Sequence, residues 1–142
     1  MATIADPLGN TTRFEYDAAS RLTRQTDPRG KATAFAHDAL NLVRTITDAL
    51  GGVTSFTYDE NGNLRTVTDA RPNQPTEYTY DSMDRVATRT DTVGVSESFV
   101  YDLAGNLTRR TDRKGQLSTF SYDALNRLTT ASYADGSGTD YQ

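Results

Sequence analysis

Apolar and polar positions alternate along this chain for five or six residues, break at a cluster of turn-forming residues, then alternate again, and the cycle returns at a fixed spacing. An aromatic-x-aromatic-Asp tetrad marks each return: Phe14-Glu-Tyr16-Asp17, Phe35-Ala-His37-Asp38, Phe56-Thr-Tyr58-Asp59, Tyr78-Thr-Tyr80-Asp81, Phe99-Val-Tyr101-Asp102 and Phe120-Ser-Tyr122-Asp123. Successive Asp residues lie 21, 21, 22, 21 and 21 positions apart. In Thr54-Ser-Phe56-Thr-Tyr58 the Thr and both aromatics fall at i, i+2 and i+4, which puts them on one face of a strand.

Three residues after each Asp stands Ser20, Asn41, Gly62, Asp84, Gly105 or Asn126. All fit a tight turn, and Gly, Asn and Asp tolerate positive φ, so the Asp and the four residues after it read as a hairpin turn. Five residues after the Asp an aliphatic residue opens a second strand: Leu22, Val43, Leu64, Val86, Leu107 and Leu128. That strand is Thr-rich and β-prone, as in Leu64-Arg-Thr-Val-Thr-Asp69, and it ends at a second Asp: Asp27, Asp48, Asp69, Asp91 or Asp112. The sixth copy has Tyr133 there, with Asp135 nearby. A return turn follows, most clearly Asp27-Pro-Arg-Gly30, and leads into the next aromatic strand.

The unit is therefore strand, turn, strand, turn, and the fold class is all-β: tandem antiparallel hairpin repeats in a twisted, spiralling open sheet. The aliphatic position and the often apolar one three residues later (Ile46, Val67, Ala131) differ in parity, which requires either a bulge or a sheet apolar on both faces. Residues 1–142 read as one array of about six repeats with partial repeats at both ends. The third copy carries an insertion at 70–75, in a turn, where insertions belong.

The residues resemble the YD repeat of Rhs-family proteins, whose signature is a Tyr-Asp dipeptide followed by a Gly-Asn/Arg-Leu turn and a Thr-Asp-Pro-x-Gly turn. Tyr101-Asp-Leu-Ala-Gly-Asn-Leu107 and Thr26-Asp-Pro-Arg-Gly30 carry the resemblance, which extends over essentially the whole chain. It implies a long sheet wound into a hollow shell. In bacterial Rhs and toxin-complex proteins such a shell encloses a toxic segment, and in teneurins it forms part of an adhesive ectodomain. An extracellular or cell-surface location follows from the resemblance alone, as does an encapsulated polypeptide as partner. The chain shows no recognisable toxin, plug domain or self-cleaving core motif, and Asp6-Pro-Leu-Gly9 and Asp27-Pro-Arg-Gly30 read as ordinary repeat turns.

Composition narrows the function. A net charge of −4 speaks against general nucleic-acid binding, whose footprint is basic. No apolar run is long enough for a spanning helix, so membrane insertion is not expected. Without cysteine the chain has neither disulfides nor a thiol nucleophile. The Asp ladder invites a calcium reading, yet calcium β-rolls use Gly-rich repeats of about nine residues, so an Asx-turn role is the better account. Sugar-stacking repeats are usually rich in Trp, which is absent here, and burial of the aromatics contributes ~1.5–3 kcal/mol each. His37, the sole histidine, sits in a Tyr slot and has no convergent partners for catalysis or metal binding. The basic run Arg109-Arg110 and Arg113-Lys114 reads as a solvated face.

The expected function is a non-enzymatic structural module without cofactor, metal or catalytic site. The other class considered is a surface module that binds glycan or a receptor through the Tyr/Phe ladder. The chain opens with the back half of a repeat, at Ile4, and closes inside an aromatic strand, at Tyr141. Together the halves make nearly one repeat, which predicts head-to-tail pairing with other copies, or with further YD repeats, through open sheet edges.

Overall fold

The structure is a computed structural model that describes residues 1–70 and 75–141. The insertion expected at 70–75 falls, for residues 71–74, outside the described residues. Among those described, fourteen β-strands and no helix form two compact units, Met1–Pro75 and Thr76–Gln142. The class is all-β, with every described strand pairing antiparallel.

The first unit is a meander of β1 (Ala2–Ala5), β2 (Thr11–Tyr16), β3 (Leu22–Thr26), β4 (Ala32–His37), β5 (Val43–Thr47), β6 (Val53–Tyr58) and β7 (Leu64–Thr68). The second runs through β8 (Thr76–Tyr80), β9 (Val86–Thr90), β10 (Ser96–Tyr101), β11 (Leu107–Thr111), β12 (Leu117–Tyr122), β13 (Leu128–Ser132) and β14 (Gly138–Asp140). Within each unit, neighbours in sequence are neighbours in the sheet.

A bulge in each Tyr-Asp hairpin settles the parity of the second strand. Thr57 faces Thr66 and Tyr58 faces Leu64, so Arg65 is the extra residue. Tyr58, Leu64, Phe56 and its partner Val67 consequently share one face. The same shift recurs in the other five hairpins, and Phe35 thereby meets Ile46 while Phe120 meets Ala131. The extra residue is a threonine in three copies, Thr23, Thr108 and Thr129, and two of these cap the bulge: Thr23 donates to the Glu15 carbonyl at 3.2 Å and Thr108 to that of Val100 at 3.1 Å.

Core is scarce. Ala131, at 2% exposure, is the buried apolar residue among those described, and no side chain larger than it is wholly enclosed. Apart from the exposed Tyr16, the aromatic and aliphatic side chains of the ladder are half-buried against their cross-strand neighbours, as expected of a single layer whose apolar face has nothing packed on it within the unit. The opposite face is lined by hydroxyls, with Thr57 and Thr66, and likewise Thr79 and Thr88, 2.6 Å apart across strands.

Candidate functional site: the repeat junction

The recurring Asp organises its turn with one carboxylate oxygen. Asp17 Oδ1 accepts the backbone N–H of Ala19 at 2.9 Å and of Arg21 at 3.0 Å, and the pattern repeats at Asp38, Asp59, Asp81 and Asp123. The return turns are built alike, with Asp27 accepting from Arg29 and Lys31. The residue three places on must take a left-handed conformation to let the chain reverse. Among the described residues glycine does so in eight turns, and Ser20 (φ 63°), Asn41 (φ 66°), Asp84 (φ 58°) and Asn126 (φ 60°) do so in four more. Where Tyr133 replaces the Asp, the backbone turn still closes, and Asp135 accepts from Ser137 instead.

The second carboxylate oxygen recruits the residue four places on. Arg21 Nε donates to Asp17 at 2.6 Å, Arg85 to Asp81 at 2.8 Å and Arg127 to Asp123 at 2.7 Å. Asn63 and Asn106 serve Asp59 and Asp102 in the same way. These bonds fix the carboxylate charge. Backbone and side-chain donation from Arg21 holds Asp17 below the usual carboxylate range, and the Arg85 and Asn106 side chains do the same for Asp81 and Asp102.

These side chains also join one repeat to the next. Arg21 Nη1 reaches the Asp38 carbonyl at 3.0 Å and Asn41 Oδ1 at 3.1 Å, one Tyr-Asp turn further along. Arg85 Nη1 reaches the Asp102 carbonyl at 2.7 Å while its guanidinium lies 4.7 Å from the centre of the Tyr101 ring. Asn106 donates to Asn126 at 2.9 Å. The tyrosines reach back the other way: Tyr58 donates to the Val43 carbonyl at 2.8 Å and Tyr122 to that of Leu107 at 3.0 Å. His37 takes the Tyr slot of its copy opposite Val43.

One cluster escaped the sequence reading. Glu97, 8% exposed, stands on the aromatic face where other copies have Thr12, Thr33, Thr54 and Ser118. It accepts from Arg89 at 3.2 Å and Arg110 at 3.1 Å, and these arginines occupy the places of Ile46 and Val67. Burial pushes the Glu97 carboxyl up, the two guanidiniums more than reverse this, and the net result lies below the usual range. The signal was present as three paired departures from the repeat. In the basic run, Arg110 is thus engaged with Glu97, and Arg113 with Asp91.

Among the described residues no group of three or more His, Asp or Glu side chains is placed to hold a metal ion, and no helix is long and apolar enough to cross a membrane. The pockets are shallow depressions between neighbouring hairpins. One is lined by Asp38, Leu40, Leu42, Arg44, Phe56, Thr57, Tyr58 and Asp59.

This geometry defines a tandem hairpin-repeat protein, in which recurring side chains join one repeat to the next. The chain belongs to the RHS Repeat family, whose pattern matches residues 2–33, 37–74 and 101–137. No curated protein matches it. Among solved structures it is similar to a chain of the Photorhabdus luminescens Tc holotoxin pore, with 21% identity and a TM-score of 0.71 over 86% of this chain and 7% of that one. It is similar also to TcdB2-TccC3, with 16% identity and a TM-score of 0.69 over 87% of this chain and 8% of the other. At these identities the likeness is one of fold, and the chain spans less than a tenth of either neighbour's length. Family and fold together make it a structural repeat module.

Proposed function

We propose that residues 1–142 form one array of about six YD repeats that serves as non-enzymatic wall material in a longer Rhs-type sheet. Such a sheet acts at or outside the cell surface and encloses a polypeptide, and the toxin complexes among the structural neighbours favour that setting. The signature residues then have scaffold roles: Asp shapes the turn, Tyr ties it to the preceding repeat, and the aliphatic residue packs under the aromatics. The observation that carries this reading is that the recurring polar side chains are spent on joining repeats, as in Arg85 to Asp102 and Tyr58 to Val43, rather than gathered around a cleft.

Further repeats would add at the outer edges of β1 and β14, both wholly exposed. In the isolated chain the same edges allow head-to-tail self-assembly. Appending two more YD repeats tests the reading. Stability and cooperativity should rise together, with the β-sheet circular dichroism per residue unchanged. A longer chain no more stable than the original would overturn it. A glycan- or receptor-binding ladder fits less well, since Tyr58, Tyr80, Tyr101 and Tyr122 are half-buried while the exposed Tyr16, Tyr133 and Tyr141 lie on separate elements.

A further inference from the structure

One junction lacks the side chain that joins the others. Four places after the turn Asp stand Arg21, Asn63, Arg85, Asn106 and Arg127, each donating to its carboxylate, but Asp38 is followed at that place by Leu42. Asp38 Oδ1 still accepts the backbone N–H of Leu40 at 2.8 Å and of Leu42 at 2.9 Å. Among the described residues nothing donates to its second oxygen.

The junction made by Arg85 shows what these groups hold. Its guanidinium donates to the Asp81 carboxylate at 2.8 Å and to the Asp102 carbonyl at 2.7 Å, and it lies 4.7 Å from the centre of the Tyr101 ring. The second oxygen of Asp38, the carbonyl of Asp59 and the ring of Tyr58 stand at the equivalent places around Leu42. The Asp59 carbonyl accepts the Gly62 N–H of its own turn, as that of Asp102 accepts Gly105, which leaves each a lone pair for a second donor.

Asp38, Leu42, Tyr58 and Asp59 line one depression of about 260 Å³, together with Phe56 and Arg44. That is several times the ~30 Å³ of a water molecule, so a planar guanidinium has room. Burial and, after it, the Asp38 charge push the Tyr58 hydroxyl up, which places the carboxylate within electrostatic reach of this side chain. In the lining the carboxylates of Asp38 and Asp59 outweigh the single guanidinium of Arg44. Among the described residues Arg44 bonds to neither acceptor, and Arg21 holds the Asp38 turn by its carbonyl and not by its carboxylate.

We propose that the junction between the turns of Asp38 and Asp59 is a binding site for a guanidinium group supplied by another molecule. The group takes the place that Arg85 fills in its own junction, donating to Asp38 Oδ2 and to the Asp59 carbonyl with its plane on the Tyr58 ring. Leu40, 70% exposed, and Leu42 give apolar cover to the methylene stem of an alkylguanidinium such as an arginine side chain. A lysine ammonium, a point charge without the planar fork, fits less well. The site lies within the first unit and goes beyond the wall reading, on which it does not depend.

The test titrates the full chain with N-acetyl-argininamide and follows the amide NMR signals of Asp59 and Gly62. They should shift saturably, and N-acetyl-citrullinamide, the neutral isostere, should bind about tenfold more weakly. Leu42→Arg supplies the guanidinium from within the chain, and should both abolish the shifts and raise the urea midpoint. Asp38→Asn keeps an acceptor for the turn but loses the charge, and should weaken binding about tenfold, with circular dichroism verifying that the sheet is kept. Arg44→Ala removes a competing cation and should tighten binding. A blocked pentapeptide Ala-Leu-Arg-Leu-Ala that binds more tightly than N-acetyl-argininamide identifies a polypeptide as the source, and equal affinity a free guanidine compound. No saturable shift, equal affinity for the citrulline analogue, or shifts that persist in both Leu42→Arg and Asp38→Asn would overturn the proposal.

Discussion

At the residue scale the demanding position is the left-handed one in each turn, because only its backbone is set against the preference of L-residues. Ser20 holds φ 63° without the side-chain compensation that Asn and Asp bring. Ser20→Gly should therefore stabilise the chain by about 0.5–1 kcal/mol, the relief of strain less the added freedom of the unfolded glycine. Urea titration of the two proteins side by side checks this, and equal or lower stability in the variant contradicts it. The turn carboxylates set the acid limit. Asp17, Asp81, Asp102 and Asp123 all lie below the ordinary value of 3.8, so what they contribute is fully present above it and is lost as pH falls through their folded values. Denaturation midpoints should stay level from about pH 7 to 5 and fall from about pH 4 to 2. A midpoint that drops between pH 7 and 5 would assign acid lability to other groups.

At the scale of the element, the hairpin of β9 and β10 and its neighbour β11 exchange apolar packing for charge. Glu97→Gln leaves two guanidiniums facing a neutral amide and should cost about 1–3 kcal/mol. Replacing all three together, by Arg89→Ile, Glu97→Thr and Arg110→Val, restores the residues found in other copies and should be neutral or stabilising. Thermal melts of the single and triple variants decide it, and a triple variant weaker than the single one would show that the ion cluster is itself favourable. Hairpins and turns were legible in the sequence because periodicity, β-propensity and turn chemistry agreed in most copies, Tyr133 in place of the turn Asp and the insertion at 70–75 being the departures. The sequence left the parity of Leu64 and Val67 open, since a bulge is a property of pairing and only the facing strand reveals that Arg65 is the extra residue. The Arg21 and Arg85 bridges between turns were hidden for a similar reason: their partners, Asp38 and Asp102, are 17 residues away and are backbone carbonyls that no motif names.

At the scale of the whole molecule, each described strand within a unit pairs only with its neighbours in sequence, so stability is passed from repeat to repeat instead of being pooled in a common interior. Hydrogen exchange should accordingly be slowest in β3 to β5 and in β10 to β12, and fastest in β1 and β14, where one partner is missing. Uniform protection along either unit would contradict this. The near absence of enclosed side chains has a thermal consequence as well. Unfolding a single-layered sheet newly hydrates little apolar surface, so its heat-capacity change should fall below the roughly 1.2–1.5 kcal/mol/K per 100 residues of globular domains. The free energy of such a chain varies gently with temperature, and chilling, which undoes proteins held together by a large oily interior, has little in this one to weaken.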